Sequence, residues 1–406
     1  MTGDVRRHLV IVGASLAGLR AAETLRAEGF EGELTVVGAE LHAPYDRPPL
    51  SKQALTAPGG PPDTALPVPD GIRARWLLGR PAVALDPRAA TVTLADGTTL
   101  AYDGLLVATG AAARRLPPDR GAPPRRVFTL RDRDDAHALR AELTPGRRLL
   151  VVGAGFLGSE VAAAGRALGL DVTVVEAGRL PLERVAGRAV GAFVADLHRT
   201  AGVDLRVDTT VETLRSGPDG ALTGAVLGDG TTVAADVAVL ALGAVPATHW
   251  LAGSGLDAGG GVLCDRWLRA LDTEGRVVPG VFAAGDAARV PQPLADGRPL
   301  ALGHWNDALD QAATAARTML TPHSPHALDA VPSFWSDLYG ARIRSVGLPG
   351  AADEARVVEH DAAARRMEVS YHRGGRLVGA LTVGRTARLA AYREELHRRS
   401  APVPAG

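Results

Sequence analysis

Two stretches of the chain repeat the same order of apolar and polar positions. Residues 8–40 read HLVIVGASLAGLRAAETLRAEGFEGELTVVGAE, and residues 148–178 read RLLVVGAGFLGSEVAAAGRALGLDVTVVEAG. Each begins with an unbroken apolar run, continues through a glycine-bearing turn and an amphipathic segment, and ends with an apolar run containing Thr-Val-Val. Unbroken apolar runs bounded by turn residues are typical of parallel strands buried on both faces. The repeat therefore predicts two strand–helix–strand units of the dinucleotide-binding kind.

Further apolar runs extend this pattern. Residues 105–110 and 237–243 are predicted strands that end in small residues, where each nucleotide-binding unit can close. Residues 280–286 form another predicted buried strand, which ends in Asp286. Asp96-Gly97 and Asp229-Gly230 lie between apolar runs and predict hairpin turns.

The last quarter of the chain has a different pattern. Residues 306–320 have helical apolar spacing, and Asn306 with Asp307 forms the predicted cap at the start of that helix. From about His323 the apolar runs are shorter, aromatic residues are more frequent, and Gly374-Gly375 separates two alternating segments. We predict an α/β fold with two Rossmann-like dinucleotide-binding domains, followed by a separate C-terminal α+β domain.

The second glycine turn matches the G-x-G-x-x-G pattern of dinucleotide-binding proteins. Its glycines are Gly153, Gly155 and Gly158, with Phe156 and Leu157 between the last two. The first glycine permits the tight turn, the second lets the backbone approach a pyrophosphate, and the third lets the helix pack on the strand. The N-terminus of the following helix would then face the phosphates with its positive dipole end.

The first glycine turn follows the same pattern less strictly. It runs from Gly13 to Gly18, and Ser15 replaces the middle glycine, with Leu16 and Ala17 following it. The small hydroxyl side chain of Ser15 can still fit beside a phosphate. One such motif alone is weak evidence, but two copies in complete strand–helix–strand units indicate two bound dinucleotides.

The residues that follow the two Thr-Val-Val runs distinguish the two ligands. Glu176 follows the second run directly, where a carboxylate can accept hydrogen bonds from a ribose 2′-hydroxyl and would repel a 2′-phosphate. NADH is therefore expected rather than NADPH, although Arg179 lies close enough in sequence to weaken this preference. The equivalent position of the first unit is Gly38, and Glu40 is either a ribose ligand or an exposed loop glutamate.

Charge and apolar content exclude several classes of partner. The chain has 45 basic and 45 acidic side chains, so no overall attraction to nucleic acid is expected. No apolar stretch approaches the ~20 residues that a membrane helix needs. The apolar run after the arginines near the N-terminus is too short for a signal peptide. We expect a cytoplasmic protein with neither a nucleic-acid nor a membrane partner.

The single cysteine and the single lysine of the chain both bear on its chemistry. Cys264 is the single cysteine, which excludes an internal disulfide, a cysteine metal site and a redox-active dithiol. Lys52 is the single lysine among 45 basic residues. In a chain that otherwise uses arginine, it marks a place where an ammonium is required, the alternative being an accidental surface lysine.

Motifs spread along the whole chain carry a family resemblance. The most specific is PYDRPPLSK at residues 44–52. The other motifs are Ala108-Thr109-Gly110, the turn from Gly153 to Glu160, Ala284-Gly285-Asp286, His304-Trp305 and Phe334-Trp335-Ser336-Asp337. Together they resemble the pyridine nucleotide-disulfide oxidoreductase superfamily, and within it the ferredoxin reductase branch, which includes reductases of putidaredoxin and of aromatic-ring dioxygenases.

This resemblance implies a glutathione reductase-like arrangement of domains. An FAD-binding domain would comprise residues 1–113 and 245–322, an NAD-binding domain residues 114–244, and an interface domain residues 323–406. FAD is expected to contact Gly13, Ser15, Leu16, Ala17, Gly18, Glu40, Arg47, Lys52, Ala108, Thr109, Gly110, Gly285, Asp286, His304 and Trp305. NAD is expected to contact Gly153, Gly155, Phe156, Leu157, Gly158, Glu160, Glu176 and Gly243. The family often has a glutamate before His-Trp, where this chain has Gly303.

The resemblance also implies individual roles. Lys52 would lie beside the flavin N5 atom and pair with Glu160, both acting in catalysis. Asp286 would accept hydrogen bonds from the ribityl hydroxyls, Arg47 would lie near the FAD phosphates or the flavin, and Trp305 would stack near the isoalloxazine ring. From the residues alone, Glu160 could equally be an ordinary acid near a helix N-terminus, and Trp305 a core tryptophan.

Because the chain has no dithiol, the acceptor that takes electrons from FAD must be a different one. Disulfide reductases of this superfamily pass electrons to a cysteine pair, and Cys264 is expected to be a small buried residue instead. Single electrons would therefore pass from FAD to an external carrier, of which a [2Fe–2S] ferredoxin feeding an oxygenase is the expected one. Such carriers are generally acidic, and the candidate docking residues are Arg289, Arg298, Arg342 and Arg344. The alternative for each of them is an ordinary solvated surface arginine. Alternatives are a rubredoxin, quinone or oxygen reductase, or a flavin-binding signalling protein resembling apoptosis-inducing factor.

Overall fold

The computed structural model describes residues 7–116, 122–361 and 363–400, with side chains up to residue 398. The first six residues, which were part of the signal-peptide argument, and the last six of the predicted interface domain lie outside the described residues. Among the helices described, none is long and apolar enough to cross a membrane.

The elements follow one another in three groups. Between residues 7 and 116 they are β1 (His8–Val12), α1 (Leu16–Ala27), β2 (Glu33–Val37), α2 (Gln53–Thr56), β3 (Arg75–Leu77), β4 (Ala82–Asp86), β5 (Thr91–Leu94), β6 (Thr99–Ala101), β7 (Gly104–Val107) and β8 (Ala111–Ala113). From residue 122 to 246 they are β9 (Val127–Phe128), α3 (Arg133–Glu142), β10 (Arg148–Val152), α4 (Phe156–Ala167), β11 (Asp171–Val175), α5 (Glu183–Thr200), β12 (Asp204–Arg206), β13 (Val211–Ser216), β14 (Leu222–Leu227), β15 (Thr232–Ala234), β16 (Val237–Leu240) and β17 (Ala244–Pro246). Beyond residue 246 they are β18 (Val262–Leu263), β19 (Arg269–Leu271), β20 (Val277–Ala283), β21 (Ala288–Gln292), β22 (Arg298–Leu300), α6 (Trp305–Leu320), β23 (Ser333–Leu338), β24 (Ala341–Gly347), β25 (Glu354–Asp361), β26 (Arg366–Arg373), β27 (Arg376–Val383) and α7 (Leu389–Ser400).

The first repeated stretch forms the centre of a six-stranded sheet with the order β19-β20-β7-β1-β2-β3. Strand β1 is parallel to both β2 and β7, and β20 is parallel to β7. Leu9, Val10 and Ile11 of β1 are fully buried, because helices and other strands cover both faces. Strand β20 ends at Ala283, so the prediction that it ends in Asp286 is wrong: Asp286 lies in the single 3₁₀ turn Gly285–Ala287.

The second repeated stretch forms a five-stranded sheet with the order β12-β11-β10-β16-β9. Strand β10 is parallel to β11 and β16, as the repeat predicts. The two hairpin turns are also confirmed, since Asp96-Gly97 joins β5 to β6 and Asp229-Gly230 joins β14 to β15, both antiparallel pairs. Gly97 and Gly230 each have a φ of +82°, which other residues rarely adopt.

A two-stranded ribbon connects the two sheets. Strands β8 and β17 pair in antiparallel register, from Ala113 opposite Ala244 to Ala111 opposite Pro246. The chain leaves the first sheet through β8 and returns through β17, after which β20 joins the first sheet. The second sheet is therefore inserted within the sequence of the first.

The C-terminal part is a five-stranded antiparallel sheet with the order β23-β24-β27-β26-β25. The turn at Gly374-Gly375 joins β26 to β27. Helix α7 packs on β24 and β27. Helix α6 begins at Trp305 and has His304 at the N-cap, so the predicted cap at Asn306 is wrong. The Asn306 side chain instead donates a hydrogen bond of 2.7 Å to Ser333 Oγ at the start of β23.

Candidate functional site

The first glycine turn holds strand β7 against the start of helix α1. A Cβ atom at Gly13 would lie 2.0 Å from the carbonyl oxygen of Ala108, and one at Gly18 would lie 1.8 Å from the carbonyl oxygen of Gly13. Gly13 also has a φ of +131°. Only glycine fits at these two positions, so no side chain covers the backbone there. Ser15 is the N-cap residue of α1, and its hydroxyl does not cap the helix. The turn and the helix N-terminus, with Leu16 and Ala17 in its first turn, fit the phosphates of a dinucleotide.

A cavity opens beside this turn. The residues that line it are Val12, Gly13, Ala14, Ser15, Val37, Gly38, Ala39, Glu40, His42, Tyr45, Arg47, Pro81, Ala82, Ala108, Thr109, Ala247, His249 and Trp250. The two oxygens of Glu40 accept hydrogen bonds of 2.5 Å from Tyr45 Oη and from Arg47 Nη2. A Cβ atom at Gly38 would lie 2.7 Å from the Ala14 side chain, which explains why the acid stands two residues later.

Arg131 connects several of the predicted FAD residues and was missed from sequence. Its Nη2 donates a hydrogen bond of 2.7 Å to Asp286 Oδ2, and its Nε donates one of 2.7 Å to the carbonyl oxygen of Ala111, which follows Gly110. Arg47 Nη1 donates to the carbonyl oxygen of Arg131 at 2.7 Å. Arg131 comes from the second unit, and nothing in its sequence context distinguishes it from the other arginines.

Lys52 and Glu160 meet between the two nucleotide-binding units. Lys52 Nζ lies 2.8 Å from Glu160 Oε2, and the two side chains are only 17% and 7% exposed. Glu160 Oε2 also accepts a hydrogen bond of 2.5 Å from Ser51 Oγ, and Oε1 accepts one of 2.6 Å from Ser336 Oγ. Both oxygens of the buried carboxylate are thereby satisfied by an ammonium and two hydroxyls, which compensates its burial. Ser51 and Ser336 were also missed, although both lie in the quoted motifs.

The short distance between Lys52 Nζ and Glu160 Oε2 explains why residue 52 is a lysine. The ammonium is a compact point charge that also donates to the carbonyl oxygen of Pro48 at 3.2 Å. A guanidinium is a larger planar fork and would not fit the same enclosed position with the same partners.

The second glycine turn has the same construction as the first. A Cβ atom at Gly153 would lie 2.5 Å from the carbonyl oxygen of Ala241, and one at Gly158 would lie 2.0 Å from the carbonyl oxygen of Gly153. Gly155 is at the N-cap of α4, and apart from its immediate chain neighbours none of the described residues has an atom within 4 Å of its Cβ position. The open space at Gly155 is what the close approach of a pyrophosphate requires, so this turn also fits a dinucleotide.

Glu176 lies beside the second turn, at the end of β11. Its Oε2 accepts a hydrogen bond of 2.7 Å from the amide of Ala154, and its Oε1 accepts one of 2.8 Å from the amide of Gly178. These bonds hold the carboxylate at the mouth of the turn. Gly243, which follows β16, has a φ of +94°, and no described residue other than its chain neighbours approaches within 4 Å of its Cβ position.

The aromatic residues of the predicted site cluster around the first strand of the C-terminal sheet. Trp305 Nε1 donates a hydrogen bond of 2.8 Å to Asp46 Oδ1, and its ring meets the edge of Trp335 at a centroid distance of 5.8 Å. Phe334 packs against both His304 and Phe156, with centroids 5.2 Å and 4.9 Å apart. Trp305 is thus tied to the motif that carries Lys52, whereas Phe156 of the second turn faces the C-terminal sheet.

Gly303 has a φ of +70°, and in the part of the chain that the structure describes only its chain neighbours lie within 4 Å of its Cβ position. Its surroundings leave space open where the family often has a glutamate side chain. Cys264 is buried in the core of the first unit, where its Sγ points to the carbonyl oxygen of Val262. Burial raises the pKa of its thiol well above the usual value, which disfavours the reactive thiolate.

The four predicted docking arginines differ in their partners. Arg289 is paired with Asp257 at 2.7 Å, and Arg344 with Asp337 at 2.9 Å. Arg298 donates to the carbonyl oxygen of Ala295, and Arg342 is exposed on β24. In the β23–β24 register Arg344 is opposite Trp335 and Arg342 is opposite Asp337, so one of the four arginines is paired with a residue of the aromatic cluster.

Comparison with known proteins gives matches along almost the whole chain. Residues 7–316 match the family model described as pyridine nucleotide-disulphide oxidoreductase, and residues 333–406 match the model described as reductase C-terminal. The 5,5'-dehydrodivanillate O-demethylase ferredoxin reductase subunit of Sphingobium sp. (strain NBRC 103272 / SYK-6) is 38% identical over 93% of this chain and 90% of its own length. Rhodocoxin reductase of Rhodococcus erythropolis is 37% identical over 93% of this chain and 86% of its own length.

A similar solved structure is the crystal structure of the covalent putidaredoxin reductase–putidaredoxin complex. Its reductase-like chain superimposes with a TM-score of 0.89 at 32% sequence identity, covering 97% of this chain and 93% of that chain. The similarity therefore includes both nucleotide-binding units and the C-terminal sheet.

Proposed function

This chain belongs to the pyridine nucleotide-disulphide oxidoreductase family, and from that premise we propose that it is an FAD-dependent reductase that passes electrons from NADH to a ferredoxin. The observation that carries the proposal is the Lys52–Glu160 pair, 2.8 Å apart between two dinucleotide-binding units, in a chain whose single cysteine is buried elsewhere. The 5,5'-dehydrodivanillate O-demethylase ferredoxin reductase subunit, to which the chain is 38% identical, is named for the same acceptor and supports the proposal.

FAD is the resident cofactor of this proposal, and when bound it takes two electrons from NADH and releases them singly. The turn Gly13–Gly18 and the N-terminus of α1 would hold its pyrophosphate. Glu40, with its partners Tyr45 and Arg47, would bind the adenosine end, and Thr109, Arg131 and Asp286 the ribityl and phosphate region. We further propose the domain division at residues 113/114, 244/245 and 322/323.

Lys52 and Glu160 perform the chain's own part of the chemistry. The ammonium of Lys52 would face the electron-rich edge of the cofactor and favour its reduced form, because positive charge stabilises added electrons. Glu160 keeps this ammonium in one position, and Ser51 and Ser336 keep the Glu160 carboxylate in place. Trp305, which donates a hydrogen bond to Asp46, would close one side of the same site.

The second turn would bind NADH. Its bare backbone at Gly155 accepts the pyrophosphate, and Phe156 and Leu157 begin the helix whose N-terminus faces it. Glu176 would exchange its bond from the amide of Ala154 for one from a ribose 2′-hydroxyl. A 2′-phosphate would meet this carboxylate and be repelled, so the proposed donor is NADH rather than NADPH. Because NADH is a cytoplasmic reductant, we place the reaction in the cytoplasm.

The acceptor is proposed to be a [2Fe–2S] ferredoxin that supplies an oxygenase. It accepts one electron at a time, which suits a reductase without a dithiol. Arg344 is opposite Trp335 of the aromatic cluster, and Arg342 is two residues away on the same strand. An acidic carrier would dock there through a small, salt-sensitive contact.

The proposal is tested with the purified yellow protein. It should oxidise NADH with ferricyanide and should reduce cytochrome c only when a [2Fe–2S] ferredoxin is added. Reduction of cytochrome c at the same rate without any carrier would refute the ferredoxin as acceptor, and rapid NADH consumption in air alone would indicate an oxygen reductase instead.

A further inference from the structure

The first hairpin of the C-terminal sheet, residues 333–347, reaches two consecutive residues of helix α4. Ser336 donates its hydroxyl to Glu160 Oε1 at 2.6 Å. Tyr339 Oη lies 2.8 Å from Nδ1 of His198, whose Nε2 lies 3.1 Å from Ser159 Oγ. The hairpin therefore contacts the start of α4 along two separate hydrogen-bonded routes, one direct and one through His198.

The direct route ends on the Lys52–Glu160 pair. Ser336 is fully buried, and its hydroxyl holds the carboxylate oxygen that Lys52 does not contact. Ser51 holds the other oxygen together with Lys52. Without Ser336, Glu160 Oε1 would be left unpaired in a buried position, and the carboxylate would be free to rotate away from the ammonium.

The indirect route ends on the second glycine turn. Ser159 Oγ points to the carbonyl oxygen of Ala154 at 3.5 Å, and the Ala154 amide is the donor to Glu176. His198 is fully buried at the end of α5, and its hydrogen-bonding partners among the described residues are the hydroxyls of Tyr339 and Ser159. Burial lowers its pKa to about 4, so the imidazole is neutral at physiological pH and has one donor and one acceptor. Tyr339 Oη donates to Nδ1 of His198, and Nε2–H of His198 donates to Ser159 Oγ. Both ring nitrogens of His198 are thereby hydrogen-bonded.

We propose that Ser336 and Tyr339 are positioning residues of the NADH–flavin site, so that the C-terminal sheet is a structural part of the site where NADH is oxidised. Ser336 sets the geometry of the Lys52–Glu160 pair. Tyr339, acting through His198 and Ser159, sets the turn that binds NADH. This inference rests on the NADH-to-FAD half of the proposed function and is independent of the acceptor.

The two routes predict different losses. Because Ser336 supports a charge pair beside the flavin, Ser336→Ala should lower the limiting rate of flavin reduction at saturating NADH about tenfold and leave the dissociation constant for NAD⁺ unchanged. Because Tyr339 supports the nucleotide turn, Tyr339→Phe should raise the dissociation constant for NAD⁺ about fivefold and leave the limiting rate unchanged. Ser336→Thr keeps the hydroxyl and should restore the rate.

The chain offers a matched control for each variant. Ser345→Ala removes a buried hydroxyl of β24 that donates to Ala380 within the same sheet. Tyr371→Phe removes a buried phenol hydroxyl of β26 that donates to the carbonyl oxygen of Ala186 on α5, across the same interface but away from α4. If Ser336→Ala is too unstable to purify, Ser336→Cys replaces the hydroxyl by a poor donor of similar volume.

Reduction rates are measured by anaerobic stopped-flow absorbance with NADH, and NAD⁺ affinity by calorimetry on the oxidised holoenzyme. The inference stands if each variant shows its own loss while its control matches the wild type. It is overturned if Ser336→Ala reduces as fast as Ser345→Ala, or if Tyr339→Phe binds NAD⁺ as tightly as Tyr371→Phe. A wild-type protein that NADH reduces but that does not reduce ferredoxin would refute the proposed acceptor alone. One that neither binds NAD⁺ nor is reduced by NADH would refute both.

Discussion

The ammonium of Lys52 and the carboxylate of Glu160 lie 2.8 Å apart, although they belong to different nucleotide-binding units. Lys52 follows the 3₁₀ turn Pro48–Ser51, and Glu160 lies in the second turn of α4. Two hydroxyls, from Ser51 and Ser336, complete the coordination of the carboxylate. Three regions of the chain thus converge on one charge pair.

Lys52→Arg should slow flavin reduction by NADH about 100-fold while FAD remains bound. A guanidinium cannot occupy the enclosed ammonium position, and small displacements of a catalytic charge cost rates of this order. The limiting rate is measured by stopped-flow absorbance, and bound FAD by the flavin-to-protein absorbance ratio. Arg125→Lys, at an exposed ion pair with Asp219, serves as the control and should behave as wild type. An unchanged reduction rate in Lys52→Arg would remove the proposed role of the ammonium.

Glu176→Ala should narrow the preference for NADH over NADPH about tenfold. The carboxylate offers acceptors for a ribose 2′-hydroxyl and repels a 2′-phosphate, and both effects are lost with it. The preference is measured as the ratio of kcat/KM values with the two nucleotides. Glu183→Ala, at the start of α5, removes the same charge a short distance along the chain and should leave the ratio unaltered. The ribose contact is disproved if both variants keep the wild-type ratio.

Arg131→Lys should weaken FAD binding about tenfold. Arg131 donates through two different nitrogens, to Asp286 and to the carbonyl oxygen of Ala111, and an ammonium cannot span both acceptors. The measurement is fluorescence recovery of free FAD on dilution, compared with Arg125→Lys as the surface control. Equal FAD retention in the two variants would show that Arg131 links the two units without contributing to FAD binding.

His198 should make the stability of the fold sensitive to mild acid. Burial lowers the pKa of its imidazole from 6.5 to about 4, so between these values the unfolded chain binds a proton that the folded chain does not. The contribution is fully present above pH 6.5 and is lost as the pH falls toward 4, with a loss of about 2 kcal/mol at pH 5.

The measurement is urea unfolding of wild type and His198→Asn at pH 7 and pH 5. The variant loses hydrogen bonds at both pH values, but its free energy of unfolding should fall less between them, by about 2 kcal/mol. If the two proteins lose the same amount, the imidazole is not buried as a neutral group.

The sequence predicts the parts of this structure that depend on local pattern. Gly13, Gly18, Gly153 and Gly158 are identified by spacing because each meets a backbone oxygen at a distance that only glycine tolerates. The sequence predicts the start of α6 at Asn306 because Asn is a common cap, whereas the Asn306 side chain donates a hydrogen bond to Ser333 of the C-terminal sheet. A tertiary contact of this kind leaves no local signal.

Residues that complete the site from other regions could not be found in the same way. Arg131 is one arginine among many until the fold brings β8 and Asp286 next to it. Ser336 and Tyr339 are ordinary strand and turn residues in the sequence, and only the packing of α4 and α5 against the hairpin brings them to Glu160 and His198. The single lysine was the exception, because the composition itself marked Lys52 as unusual.

Reduction of the bound flavin by NADH, followed by its reoxidation by a ferredoxin, tests the proposed electron path most directly. The purified protein is reduced anaerobically with one equivalent of NADH and then mixed in a stopped-flow instrument with oxidised [2Fe–2S] ferredoxins. We expect the yellow colour to bleach with NADH and to return in single-electron steps when a suitable ferredoxin is added. A protein that is colourless, does not take up added FAD, or stays reduced with every ferredoxin while oxygen or quinone reoxidises it rapidly would contradict the proposal.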